Sequence, residues 1–526
     1  MSTPRFTDPS YFKEHPYYEY LFIASACIGQ LLTLAASCCS LTHMNQLQED
    51  FNAPDTMKPW FMASFGLAIG TVILISGRLG DVYGIKNILL GGYVWTILWS
   101  LLSGISYYDR QDGAAMYICC RAFQGAGMAF VLPNILGAAG RVFTPQTLRK
   151  KLVFGFIGLS APLGGWLGVF MSGVIAVRTD RWDWNHYAFA MFALVGCAIT
   201  YISFPEIHVI RQDDGSRQHV DWMGGFLGIT SLTLFNFSWN QAPVVGWQSA
   251  YIIVLLIIGF VMFFGFVYWE LKVAKNPLIP PAILENPKLV ATLSTIFLGW
   301  GAFGINLYHT YTMYQDFRHY SPFAAGAGLS PAPPMGLLAA ISCSLLIGPR
   351  TVELILVGSM LAFTGASIIL CTTTVHESYF RNTFGAWILG PFGMDWSFPA
   401  GSILLSEELP PHLQGMAGSL VSIMMNYGIS IMLGVAGTIE VELLKQRPED
   451  TYRAWRGAEY YAVGISGLAT VIALVSGRKA IWAYITGKEV PMPEVYDEEK
   501  HELVRAPTKV SLASSPTPKS ISSLES

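Results

Sequence analysis

From residue 17 to about residue 486 the chain is a succession of long apolar runs separated by short polar breaks. A helix rises only about 1.5 Å per residue, so crossing the ~30 Å hydrocarbon core of a bilayer takes ~20 mostly apolar residues. Such runs stand at 17–41, 58–77, 88–107, 113–140, 152–177, 186–204, 222–240, 250–270, 289–313, 323–348, 351–373, 383–405, 414–438 and 458–486, which predicts fourteen spans. Of the 526 residues, 13% are charged and 52% are apolar, with a net charge of −3. A soluble domain carries ~25% charge to solvate its outside. This balance excludes a soluble globular protein, and it gives no basic field for nucleic acid. Disorder is excluded over most of the length. In lipid every backbone donor and acceptor must be paired within the segment, so the expected class is an all-α polytopic membrane protein.

Counting Lys and Arg sets the orientation. With the N-terminus inside, the cytoplasmic loops and adjoining ends hold 17 and the outer loops hold 10, with Arg141, Arg149, Lys150 and Lys151 in one short inner loop. An even span number then puts both termini in the cytoplasm. The expected layout is a cytoplasmic segment at 1–16, a six-helix bundle at 17–204, and a charged cytoplasmic loop at 205–221. An inserted helix pair with its following loop at 222–288 precedes a second six-helix bundle at 289–490, and a disordered tail occupies 491–526. That tail is rich in Ser, Thr and Pro and carries Ser515-Pro516 and Thr517-Pro518 as possible phosphorylation sites. The eight Cys all fall in apolar runs with no CxxC spacing, and the ten His never form a metal box. No metal or cofactor is expected. Absence of G-x-S-x-G, HExxH and P-loop patterns argues against an enzyme and against ATP hydrolysis on this chain.

Four motifs carry the chemistry. GRLGDVYGIKN, between the second and third runs, combines the turn glycines Gly77, Gly80 and Gly84 with Arg78, Asp81 and Lys86. The fourth run contains RAFQGAGMAFVLPN, in which Arg121, Gln124 and Met128 share one helical face and Asn134 points the other way. The fifth holds SAPLGGWLG, with Pro162, Gly164, Gly165 and Gly168 making a thin, pliable face and a GxxxG pair at 164 and 168. The twelfth reads GPFGMDWSFPAG, with Asp395 read as the one acid deep in a span, between Pro391 and Pro399. Softer polar positions are Gln30 in the first run, Asn306 and His309 in the ninth, Thr233, Asn236 and Asn240 in the seventh, and a stripe of Ser419, Ser422, Asn426 and Ser430 in the thirteenth. At that spacing small polar side chains more often join helices than bind ligand.

GRLGDVYGIKN resembles the signature loop of the major facilitator superfamily, G-x-L-x-D-x-x-G-x-K/R, with Val82 where a basic residue is usual. RAFQGAG resembles its R-x-x-Q-G-x-G element. SAPLGG is similar to its antiporter motif G-P-x-x-G-G, with Ala161 replacing the first glycine. The 6+2+6 count resembles the fourteen-span drug:proton antiporter branch, and LISGRLGDVYG, FNFSWNQAPVVGW, FLGWGAFG and GPFGMDWSFP look like its fungal aminotriazole-resistance and boron-export members. The resemblance runs from Tyr20 to Thr486 and implies pseudo-twofold halves that export a small toxic molecule by alternating access, as a proton antiporter. The cargo implied is a drug, xenobiotic, fungal secondary metabolite or borate.

The first, fourth, ninth and twelfth spans would then line the pathway, bringing together Gln30, Arg121 with Gln124, Asn306 with His309, and Asp395, with Asn426 as a further substrate contact. Asp395 would carry the proton and hold Arg121, with His309 assisting, because this chain lacks the first-span acid of many relatives. Arg78, Asp81 and Lys86 would form the cytoplasmic gate. The implied partners are a small-molecule substrate, the proton and the lipid bilayer, for a monomer in the cell membrane, with a vacuolar or other internal membrane as the alternative. The alternatives left open are uptake of a small solute such as ammonium or borate, and a non-transporting sensor of the same fold.

Overall fold

A computed structural model describes residues 16–109, 112–143, 148–204, 219–279, 281–348, 350–407, 415–486, 494–497 and 502–505. The segment 1–15, most of the 205–221 loop and the serine-proline sites of the tail lie outside the described residues. Among the described residues fourteen helices of fifteen residues or more follow one another. They are α1 (Pro16–Cys38), α2 (Trp60–Tyr83), α3 (Ile85–Ile105), α4 (Gly113–Val142), α5 (Leu148–Thr179), α6 (Asp183–Ser203) and α7 (Trp222–Val245). Then come α8 (Ala250–Lys272), α9 (Pro287–Thr312), α10 (Ala332–Leu346), α11 (Val352–Cys371), α12 (Thr383–Glu407), α13 (Gly415–Gln446) and α14 (Thr451–Thr486). Twelve of the helical stretches are long and apolar enough to cross a membrane. The other two, α7 and α12, are 24 and 25 residues long and fall short in apolarity, because α7 carries Asn236, Asn240 and Gln241 and α12 carries Asp395. Within the stretch expected to be disordered, Glu494–Asp497 and Glu502–Arg505 pair as two short antiparallel strands, β1 and β2.

The helices pack in two groups with the same internal pattern. In the first group α2 and α3 pack on α4, α1 on α5, and α3 and α1 on α6. Every one of those pairs recurs eight helices later: α10 and α11 on α12, α9 on α13, and α11 and α9 on α14. The two groups meet through α2 against α13 and α5 against α10, which are again equivalent pairs. The pair α7–α8 stands outside this repeat, with α7 wedged against α2 and α13 and α8 touching mainly α7. Accordingly α8 exposes Ile253, Val254, Ile257, Val261 and Phe264, a surface that only lipid or another chain could cover.

Close approach of backbones sets the helix spacing. A Cβ at Gly164 or Gly168 of α5 would lie 2.3 and 2.5 Å from the carbonyl oxygens of Leu31 and Ala35 on α1. The equivalent pair repeats the device, since a Cβ at Gly428 of α13 would lie 2.4 Å from the Phe297 carbonyl of α9. Polar seams add specificity. Ser430 of α13 donates to the Ala63 carbonyl and to Asn236 Oδ1, and Asn240 donates to the Ser430 carbonyl, so α7, α2 and α13 are joined. These serines and asparagines therefore act as helix glue, and Asn236 is fully buried. The run at 323–348 is broken in two, Pro322–Ala327 and α10, because Pro331, Pro333 and Pro334 can only start a helix. All eight cysteines are free.

Candidate functional site

A cavity of about 30 Å³ lies where the two helix groups meet. Its first wall is Leu34, Ser37 and Cys38 of α1, spaced i, i+3, i+4, with Ala161, Pro162 and Gly165 of α5. The facing wall is Phe303 and Leu307 of α9 with Trp387, Pro391 and Met394 of α12. Each proline removes an N–H from its helix and leaves a backbone carbonyl without its usual partner, which loosens both walls at cavity depth. The volume suits about one water molecule, so the groups are closed around this point.

The two groups are tied together at the end of the bundle that carries the 41–57 and 313–321 connections. There Asp316, in the π-turn Met313–Phe317, accepts from Asn45 Nδ2 at 2.7 Å and pairs with Lys58 at 3.4 Å. Gln315 donates to the Leu41 carbonyl at 2.6 Å, and Gly326 abuts the Val169 backbone of α5. Asn45, Leu41 and Lys58 belong to the first group, and Gln315 and Asp316 to the second. These contacts form a latch between the two.

The antiporter-type motif divides into two jobs. Gly164 and Gly168 pack α5 on α1, whereas Pro162 and Gly165 line the cavity. Gln30 lies one turn before Leu34 on the cavity-facing stripe of α1, and its Oε1 is buried with no hydrogen-bond partner among the described residues. Asp395 is buried next to Met394, and a Cβ on Gly336 of α10 would meet both Pro162 and Asp395 Oδ2, at 2.4 and 3.1 Å. Asp395 thus sits where α5, α10 and α12 converge at the cavity edge, and its Oδ2 has no hydrogen-bond partner among the described residues.

The expected pairing of Asp395 with Arg121 is not formed. Arg121 is fully buried, donates to Gln124 Oε1 and to the Ala36 carbonyl (2.6 Å), and lies over the Phe65 ring. Gln124 passes the chain on to Ser100 of α3 at 2.7 Å. Among the described residues no acid pairs with Arg121, and the guanidinium ties α4 to α1 through backbone and amide oxygens instead. Helical geometry explains a second correction. With 100° per residue, Asn306 and His309 point some 80° and 140° away from the Phe303–Leu307 stripe that faces the cavity. Asn306 donates to Ser367 of α11 at 2.8 Å, and His309 turns to Glu440 of α13 and Glu459 of α14. Both residues face the inside of their own group. Asn426 donates to the Ser422 carbonyl of its own helix.

Asp395 is also not the only buried acid in the helices: Glu459 is fully buried, and Glu19, buried in the first turn of α1, is an acid in the first span, where none was expected. Glu459 is the second residue of the apolar run at 458–486, but the helix begins about two turns earlier, at Thr451, so a residue at the edge of the run sits well inside the helix. Asn45 and Asp316 lie between the apolar runs and Lys58 at the start of one, and no sequence signal pairs them.

In the signature loop Gly84 ends α2 with φ of +94°, which only glycine adopts freely. Arg78 donates to the Pro277 carbonyl in the connection after α8, and Lys86 lies over the Tyr201 ring. A Cβ on Gly80 would collide with Asn134 Oδ1, and Asn134 Nδ2 donates to Ser76 Oγ (3.2 Å) and to the Phe130 carbonyl (2.8 Å), so Asn134 clamps α4 to α2. Residues 26–431 match the family description "Major Facilitator Superfamily".

The chain belongs to the major facilitator superfamily.

It is 39% identical to the aminotriazole resistance protein of Saccharomyces cerevisiae, over 94% of this chain and 90% of that one. The low affinity ammonium transporter of the same yeast is 37% identical, over 87% and 88%. Efflux pump terJ of Aspergillus terreus is 34% identical, over 87% of each chain. A crystal structure of the peptide transporter POT in complex with sulfate superposes with a TM-score of 0.61 at 13% identity, over 88% of this chain and 95% of that one. The family and these relatives are transporters rather than enzymes, and this chain is a multi-pass membrane protein of that kind.

Proposed function

We propose that this protein exports a small toxic molecule by alternating access, driven by protons moving the other way. The observation that carries the reading is the cavity at the junction of two pseudo-equivalent helix groups, closed at one end by Asp316, Asn45 and Lys58. A midplane site between two rocking halves is what alternating access requires. The aminotriazole-resistance and efflux-pump relatives favour a toxic small molecule as cargo and the outward direction. In this reading α7 and α12 also cross the bilayer, giving fourteen spans as 6+2+6 with bundles at 17–204 and 289–490 and both termini in the cytoplasm. The latch then lies on the outer side. Gln30, Pro162 and Gly165 contact the cargo, Asp395 carries the proton at the cavity edge, and Arg78, Asp81 and Lys86 act at the inner gate. The protein works as a monomer in the cell membrane.

The test is flux in reconstituted vesicles sorted for orientation. Inside-out vesicles with an acid interior should accumulate aminotriazole, and a protonophore should abolish the accumulation. Flux indifferent to the proton gradient would refute antiport. The ammonium-transporter relative favours a second reading, passage of ammonium down its own gradient. Ammonium flux in both directions with no aminotriazole accumulation would decide for it.

The latch yields a separate prediction. Asp316→Ala removes the acceptor shared by Asn45 and Lys58, so the outer side should open more often. With the eight native cysteines replaced by serine and Ser37 by Cys as a reporter on the cavity wall, an impermeant maleimide added outside should label the Asp316→Ala protein faster than the same background with Asp316 kept.

A further inference from the structure

Three titratable side chains from three helices converge in the second helix group, away from the cavity. His309 of α9 is fully buried, and its Nδ1 lies 3.0 Å from the Ile305 carbonyl. A carbonyl only accepts, so Nδ1 must carry the hydrogen. The other nitrogen, Nε2, lies 3.1 Å from Glu440 Oε1 of α13. Two lone pairs cannot face each other at that distance, so one further proton sits between them, on the imidazole or on the carboxyl. Glu459 of α14 is fully buried, 3.9 Å from Nδ1, and neither of its oxygens has a hydrogen-bond partner among the described residues. Glu440 is 23% exposed at its side chain and is the one member of the three that reaches the surface of the bundle.

Two further ionisable groups stand beside the cluster among the described residues. Tyr308 faces Glu440, Asp316 and Asp55, and Cys371 of α11 faces Glu459 and Arg456. Arg456 is held by the Tyr452 hydroxyl, and Glu442 pairs with Lys445 at 2.5 Å. Two carboxyls and one imidazole therefore lie close enough for the charge on each to bias the protonation of the others.

The cluster is mechanically joined to the latch. His309 lies seven residues before Asp316, about two helical turns along the same element. Its carbonyl accepts from Trp455 Nε1 of α14 at 2.9 Å, and the Trp455 ring packs on Phe317, the neighbour of Asp316, with ring centres 6.3 Å apart. We infer that His309, Glu440 and Glu459 form a proton-binding site whose occupancy sets the outer latch. Resting on the alternating-access reading above, this assigns the site a role distinct from Asp395. With the proton in place α13 and α14 clasp the end of α9 and hold Asp316 against Lys58 and Asn45. Loss of the proton sets a carboxylate against an imidazole lone pair, moves the end of α9 and releases the latch.

The test uses the full chain in lipid nanodiscs, with spin labels at exposed Glu49 beside the first-group side of the latch and exposed His376 beside the other. The label distance is followed from about pH 5 to pH 8.5, across the ordinary imidazole range. The parent should shift from a short to a long distance as pH rises, and a parent distance indifferent to pH overturns the inference without any variant. Glu459→Gln, Glu440→Gln and His309→Gln should each lose the pH-dependent shift. Persistence of the full shift in the variants that fold also overturns it. Asp395→Asn should keep the shift. Failure of proton-driven aminotriazole flux with the shift intact would instead sink the antiport reading and leave the site standing.

Discussion

Gly164→Leu should abolish recovery of folded protein, while Gly165→Ala, its immediate neighbour, should fold normally. Any Cβ at 164 lies 2.3 Å from the Leu31 carbonyl oxygen and 2.8 Å from the Leu31 Cα, and a leucine adds three more carbons beyond it. The obstacle is helical backbone, which cannot rotate out of the way as a side chain would. Overpacking costs roughly 1–3 kcal/mol where neighbours yield, and ~3 kcal/mol or more is expected here because α1 and α5 must part. Gly168→Leu meets the Ala35 backbone in the same way and should behave alike. At Gly165 an added Cβ meets only Cys38 Sγ, at 3.7 Å, and at Gly158 it meets nothing within 4 Å, so alanine at either leaves the packing intact. Monodisperse yield and melting temperature of the purified proteins measure the contrast. A stable Gly164→Leu protein would contradict the close α1–α5 contact.

Asp395→Asn should reduce proton-driven aminotriazole flux to background while leaving the protein at least as stable as the parent. The carboxyl sits at the cavity edge between α5, α10 and α12, with Oδ2 unpartnered among the described residues and no arginine beside it. Asparagine has almost the same shape, breaks no ion pair and cannot exchange a proton, so folding is spared and coupling is lost. The measurement is accumulation in acid-loaded inside-out vesicles, with melting temperature as the control for folding. Asp395→Asn with parental, gradient-dependent accumulation would remove Asp395 from the proton pathway. A variant that fails to fold would show that the carboxyl is instead a packing element between α10 and α12.

The motifs were legible in proportion to how local their physics is. Gly84 needs only its own backbone angle, and the GxxxG pair at 164 and 168 needs only one helix period, so both could be read from the chain. The direction of Asn134, away from the Arg121 face, follows from the helix that carries both, and the residue bonds Ser76 of α2. The partner of Arg121 was not legible. A buried guanidinium invites an acid from another span, but a backbone carbonyl at Ala36 and the Gln124 amide satisfy it instead, and carbonyls leave no mark in a sequence. Glu440 lies two residues past the run that ends at 438, Glu459 is second in the run that starts at 458, and nothing in the sequence brings the two together on His309. The helices continue past the ends of these runs, to Gln446 in α13 and from Thr451 in α14, and they carry the charges inside.

The sequence alone determined that this chain must live in lipid, that it must be helical, and that it belongs with the transporters its signature loop resembles. Those conclusions rest on hydrophobic length and on short-range turn and packing rules, which act within a single segment. Which polar groups meet was decided only by the tertiary structure. The Asp316 latch, the unpaired setting of Asp395 and the His309 cluster each join residues more than 130 positions apart, counted between His309 and Glu440, Asp395 and Pro162, and Asp316 and Lys58. A helix fixes the direction of its side chains relative to itself, but the rotation and depth at which it meets its neighbours are set by the packing of the whole bundle.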